Sequence, residues 1–132
     1  MDLTTPYAFG KTMDLPFAEA QQKVREELAK EGFGVLTEID MCQKFADKLQ
    51  KEFRDYIILG ACNPALAYEA MSGEINIGVL LPCNVVIYTR DDGKAAVMFM
   101  DPIARFSRIG NPELEELGIQ VTQKLERVID AL

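Results

Sequence analysis

Apolar residues recur along this chain with two periods, every second residue or every third to fourth, and the switches between them divide it into elements. A short strand is expected around Tyr7 to Met13. Asp14, with Pro16 two residues on, opens a helix in which Phe17, Ala20, Val24 and Leu28 recur at helical spacing, and Gly32 ends it because glycine takes positive φ cheaply. Phe33, Val35, Thr37 and Ile39 then alternate as a strand with one buried face. Asp40 with Gln43 resembles a capping box, and the helix it opens carries an apolar stripe of Cys42, Phe45, Ala46, Leu49 and Phe53. That stripe puts Cys42 on the core side. Tyr56 to Cys62 is apolar on both faces, the pattern of a central strand covered on each side.

Asn63-Pro64 pairs an N-cap side chain with the residue whose missing N–H costs nothing in a first turn, so a helix runs from there to about Met71, and Gly73 closes it. Ile75 to Leu81 fits helix and strand equally, and Pro82 interrupts either. Cys83 to Arg90 is rich in Val, Ile and Tyr, and Asp91-Asp92-Gly93-Lys94 turns it into Ala95 to Met100 as an antiparallel hairpin. Asp101-Pro102 after the hairpin reads as a strand-ending turn more readily than as a site acid. Asn111-Pro112 opens a terminal helix marked by Leu114, Leu117, Val121, Leu125, Val128 and Leu132. The order is β α β α β α β β α. Gly-x-Gly occurs only at Gly32-Phe33-Gly34, without the further glycine of a dinucleotide loop. The expected fold is α+β: a mixed, mainly antiparallel sheet of about five strands packed by helices, with residues 1–132 forming one domain.

Composition narrows the chemistry. The chain holds 132 residues, enough to bury roughly two thirds of its unfolded surface without disulfide or metal staples. It has no histidine, which excludes Ser-His-Asp and Cys-His nucleophiles and His-ligated zinc or haem. With 14 Lys+Arg against 21 Asp+Glu the net charge is −7, and the basic residues are scattered among acids, so neither nucleic acid nor an anionic membrane is an expected partner. The longest apolar runs fall far short of the ~20 residues of a spanning helix. No basic stretch followed by an apolar segment opens the chain, and three cysteines suit a reducing compartment better than a disulfide framework. The expectation is a soluble cytoplasmic protein.

One constellation carries candidate chemistry: two Cys-Asn steps, Cys62-Asn63 at the end of the third strand and Cys83-Asn84 at the start of the fourth. If those strands are antiparallel neighbours, the thiols can meet across ~5 Å of ladder. A meeting pair can switch between dithiol and disulfide, hold a soft ion such as Cu(I), or offer one activated thiolate. Cys62, just before a Pro-initiated helix, would feel that helix's positive end, which lowers a thiol's pKa. The plainer reading makes the cysteines small buried hydrophobes, and Asn63 and Asn111 helix caps. Asn84, inside a β-branched strand, needs partners if buried and can orient a ligand. Met98, Phe99 and Met100 either line an adaptable apolar pocket or fill the core, the commoner outcome.

Four strings, Gly32-Phe33-Gly34-Val35-Leu36-Thr37-Glu38-Ile39-Asp40, Ile58-Leu59-Gly60-Ala61-Cys62-Asn63-Pro64, Leu80-Leu81-Pro82-Cys83-Asn84-Val85-Val86 and Gly110-Asn111-Pro112-Glu113-Leu114, together resemble the domain of unknown function 302 family, in order and over nearly the whole chain. The resemblance implies a compact α+β domain that forms homodimers, and no established activity. Cys62 and Cys83 fall within the family's own motif strings; Cys42 does not. Three functions follow as expectations. The first is a homodimeric binding module that takes a small molecule or soft metal ion at Cys62, Asn63, Cys83 and Asn84. The second is a thiol redox enzyme or sensor using Cys62 and Cys83, and the third a structural or interaction protein whose cysteines are inert.

Overall fold

A computed structural model describes all 132 residues. Six strands, β1 (Leu3–Thr5), β2 (Ala8–Met13), β3 (Gly34–Asp40), β4 (Tyr56–Cys62), β5 (Cys83–Thr89) and β6 (Ala95–Met100), form one antiparallel sheet in the order β1-β2-β6-β5-β4-β3. Five helices accompany it: α1 (Phe17–Lys30), α2 (Met41–Leu49), α3 (Pro64–Gly73), α4 (Pro102–Phe106) and α5 (Pro112–Ala131). This is the expected α+β class, with one strand more than expected because Leu3–Thr5 folds back on β2. No helix is long and apolar enough to cross a membrane.

Pairing fixes which residues share a face. Leu59 lies opposite Val85 and Val85 opposite Phe99, which in turn faces Phe9. These positions, with Ile57, Ala61, Cys83, Ile87 and Val97, form the floor on which Ala20, Val24 and Leu28 of α1 and Val121, Leu125 and Val128 of α5 pack. A second cluster of Ala70, Ile77, Phe106, Leu114 and Leu117 joins α3, α4 and α5 beyond the sheet end. The alternate residues of the same strands face the other way, where no long helix covers them.

Three helix starts use one device. Asn63 accepts from the Leu66 N–H at 3.3 Å, Asn111 from the Glu113 N–H at 3.0 Å, and Asp101 from the Ala104 N–H at 3.1 Å, each with proline at the next position. Asp101-Pro102, expected as a turn, therefore opens the short helix α4: a cap plus proline acts identically whether the helix that follows is long or short. Ile75–Leu80, ambiguous by pattern, is a 3₁₀ segment.

Three further expectations are corrected. The helix expected to run to Phe53 with Cys42 on its core side stops at Leu49, where Gln50 turns left-handed, and α2 buries none of its residues. Its apolar stripe meets only the margin of the sheet, Phe45 packing on Phe53 and Phe53 on Tyr56 of β4, so Cys42 and Phe45 stay half-buried, and Cys42 Sγ lies 3.3 Å from the Phe53 carbonyl. Asp40 does accept from the Gln43 N–H at 3.0 Å, but the Gln43 amide bonds Asp47 instead of reaching back, so half of the capping box forms. β4 is interior but one strand from the edge, since β3 closes that side.

Candidate functional site

The two Cys-Asn steps sit on neighbouring antiparallel strands, with Ala61 opposite Cys83 and Gly60 opposite Asn84. Gly60 belongs to one string and Pro82 to the other, and they meet: a β-carbon on Gly60 would come within 2.7 Å of the Pro82 ring and would also strike the Thr37 hydroxyl. Glycine at 60 is thus the condition for the Pro82 ring to lie on the strand.

Within the quartet of Cys62, Asn63, Cys83 and Asn84, the fold brings three residues together and turns the fourth away. Cys62, Asn63 and Cys83 border a small, largely apolar niche of about 30 Å³ between the sheet end, α3 and α5, the share of a single water or ion. Asn84 is exposed on the opposite face, as the two-residue period of a strand requires of Cys83's neighbour. Asn63 is committed to structure: besides capping α3, its Nδ2 donates to the Glu31 carbonyl at 3.4 Å and so ties α3 to the end of α1.

Both thiols are harder to ionise than usual. Burial pushes Cys62 up, and burial together with the neighbouring Cys62 pushes Cys83 up to about 11, only partly offset by the Arg105 cation. The lowered pKa expected for Cys62 from the α3 terminus is overturned. Pro64 contributes no N–H to that terminus and Asn63 already occupies another, so desolvation outweighs what remains of the helix field. Cys83 belongs to the main hydrophobic cluster and fills space as a small apolar side chain.

The uncovered face offers a larger feature. A trough of about 750 Å³ runs across β4, β5, β6 and β2, with Tyr56, Val86, Tyr88, Met98 and Met100 among its lining. The register orders it from end to end. Tyr56 faces Tyr88, their rings stacked at 5.7 Å and 12°; Val86 faces Met98 in the middle; Asn84 and Met100 lie at the far end, beside Ala8. Arg105 and Arg108, one helical turn apart on α4 and the loop after it, close that far end, and Tyr7, 71% exposed, stands at the rim. Burial and the neighbouring Tyr88 and Tyr7 push the Tyr56 hydroxyl up, so it stays protonated at neutral pH. Methionines give the floor adaptable shape.

The trough's electrostatics run against the molecule's. Its lining includes two arginines and no carboxylate, although the chain has 21 Asp and Glu. Neither Arg105 nor Arg108 takes part in any of the six ion pairs, and Asp101, the nearest acid in sequence, spends its side chain on the α4 cap. A different depression, between α3 and the start of α5, is lined by Glu69, Glu113 and Glu116.

Of the quartet, then, only Asn84 reaches the trough. Met98 and Met100, weighed as pocket or core, line it, while Phe99 between them is fully buried. Tyr56, Tyr88, Arg105 and Arg108 were not singled out by sequence. The available signal was alternation: Tyr56-Ile58, Asn84-Val86-Tyr88 and Met98-Met100 repeat every second residue on the face opposite the core.

Comparison with known proteins agrees with the fold and adds no activity. The crystal structure of an uncharacterized conserved protein DUF302 from Bacillus stearothermophilus superposes with a TM-score of 0.87 at 24% identity, covering 94% of this chain and 96% of that one. No curated protein matches the sequence. The sequence profile of the domain of unknown function DUF302 matches residues 9–132, and the chain belongs to that family.

Proposed function

We propose that this protein is a binding module whose ligand is a small organic molecule seated in the open-face trough. One observation carries the reading: a volume of about 750 Å³, the size of a small-molecule site, has a largely apolar and aromatic floor and its charged groups gathered at one end. Asn84, the quartet's exposed member, is the polar group on the floor. The test is NMR of the full chain labelled at methionine methyls and titrated with the neutral probe 4-phenylbenzyl alcohol. Met98 and Met100 should shift saturably and Met71, outside the trough, should not. Shifts at Met71 alone, or none, would sink the reading.

A soft ion at the thiols is a second reading, favoured by Cys62 and Cys83 bordering one niche of single-atom size. Cu(I) would have to displace both protons, and competition against a chromophoric Cu(I) chelator measures whether it does. The redox alternative gains no such support, since both thiols are held protonated.

The homodimer is proposed on the apolar strip formed by edge strand β3 and α2. Leu36 is 64% exposed, Leu49 56% and Phe53 46%, more apolar surface than an isolated α2 stripe needs. Light scattering should give twice the chain mass for the native protein and the chain mass for Leu36→Glu/Leu49→Glu.

A further inference from the structure

Resting on the trough reading, we infer that its ligand is an organic oxyanion, a carboxylate or phosphate on an elongated apolar body, with the oxyanion held by Arg105 and Arg108 beside Asn84. The register sets the polarity. Along β5 the positions run from Asn84 through Val86 to Tyr88, and this row is aliphatic and aromatic, without charge, until its Asn84 end. Four residues of strand span about 13 Å, which fixes the length of body the floor can cover. At the Asn84 end stand the trough's only two charges, both positive, at i and i+3 spacing. Planar guanidinium groups match the geometry of carboxylate and phosphate oxygens, and the Asn84 amide can donate a further hydrogen bond.

Charge bookkeeping makes this specific. In a chain of net charge −7, a trough lined by two neighbouring arginines and no acid departs from the average, and neither arginine is held in an ion pair. The net charge of −7 repels anions on average, and the two arginines set a locally favourable field for one at this end of the sheet. Cationic ligands meet the opposite: two like charges and no counter-charge. The same surroundings argue against a polyanion such as nucleic acid, whose flanking phosphates would extend beyond the two arginines onto acidic surface.

Four probes of one body test the inference by calorimetry on the full chain: biphenyl-4-carboxylate, 4-biphenylyl phosphate, 4-phenylbenzyl alcohol and 4-phenylbenzylamine. The carboxylate or the phosphate should bind about tenfold more tightly than the alcohol, and the amine most weakly; whichever anion binds better names the head group. Exposed pairs being modest, each of Arg105→Gln and Arg108→Gln should weaken the preferred anion by about threefold. The double variant, checked for native circular dichroism, should bring the anion-to-alcohol ratio close to one. An alcohol that binds as tightly as the better of the two anions, or a preference that survives the double variant, overturns the oxyanion inference and leaves the trough reading standing. If no biphenyl compound binds, the trough reading itself fails and this inference falls with it.

Discussion

The sheet's two faces are cut from the same strands, alternate residue by alternate residue, yet one is the core and the other the candidate site. Leu59, Val85 and Phe99 are buried under α1 and α5; Ile58, Val86 and Met98, each one position away, are only half-buried. Hydrophobicity does not separate the two sets. What separates them is whether a helix lands on that side, so an apolar strand residue is a packing residue or a ligand-contact residue according to the connections between strands.

The sharpest way to break this comparison is to truncate one residue from each face. Leu59→Ala should cost about 2–5 kcal/mol in urea unfolding, because the site has no route to collapse, whereas Met98→Ala should cost under ~1 kcal/mol and lose probe binding instead. Similar costs for both would mean the open face is covered in solution. The thiol on the covered face gives a pH test. Burial makes Cys83 hold its proton more tightly folded than unfolded, so its contribution is complete below pH 9 and is lost as pH rises toward about 11. A shift of that size is worth about 2–3 kcal/mol. Stability curves of native protein and Cys83→Ala should therefore converge across that window, and parallel curves would show Cys83 to be solvated.

Close backbone approach provides the next test. A β-carbon on Gly10 would run into the Val97 carbonyl across the β2–β6 ladder, so Gly10→Ala should cost about 1–3 kcal/mol in thermal or chemical melts. The smallest expected effect concerns Asn63, one of the quartet. As cap and tie, its change to Ala should cost about 1 kcal/mol and leave 4-phenylbenzyl alcohol affinity within error. A large loss of probe affinity would restore Asn63 to the ligand site.

Much of the architecture was legible because the signals are local. Caps with proline at 63-64 and 111-112 and the Asp91–Lys94 hairpin turn each act over a few residues and form where expected. The β3 strand forms too, but its expected buried face does not: a register shift between Val35 and Thr37 on this edge strand leaves Thr37 and Ile39 exposed. Asp101-Pro102 carries the same cap signal but reads equally as a strand-ending turn, and a five-residue helix has no apolar period to separate the two. The stripe on α2 was legible too, but amphipathicity states that a face wants cover and not that the chain supplies it.

The candidate site was legible in pieces. Cys62 and Cys83 drew attention as rare reactive side chains, and the local argument for activating Cys62 omitted the desolvation that only packing imposes. Arg105 and Arg108 were two unremarkable surface cations until α4 was placed at the end of the open face. The amino-acid order by itself determined the elements, their caps, the absence of imidazole chemistry and the family, since each depends on residue type or short-range spacing. Tertiary structure alone decided which face of the sheet stays open, that Asn84 parts from Cys83, and that two unpaired arginines meet an apolar floor. Those depend on strand order and helix placement, which join residues far apart in the chain.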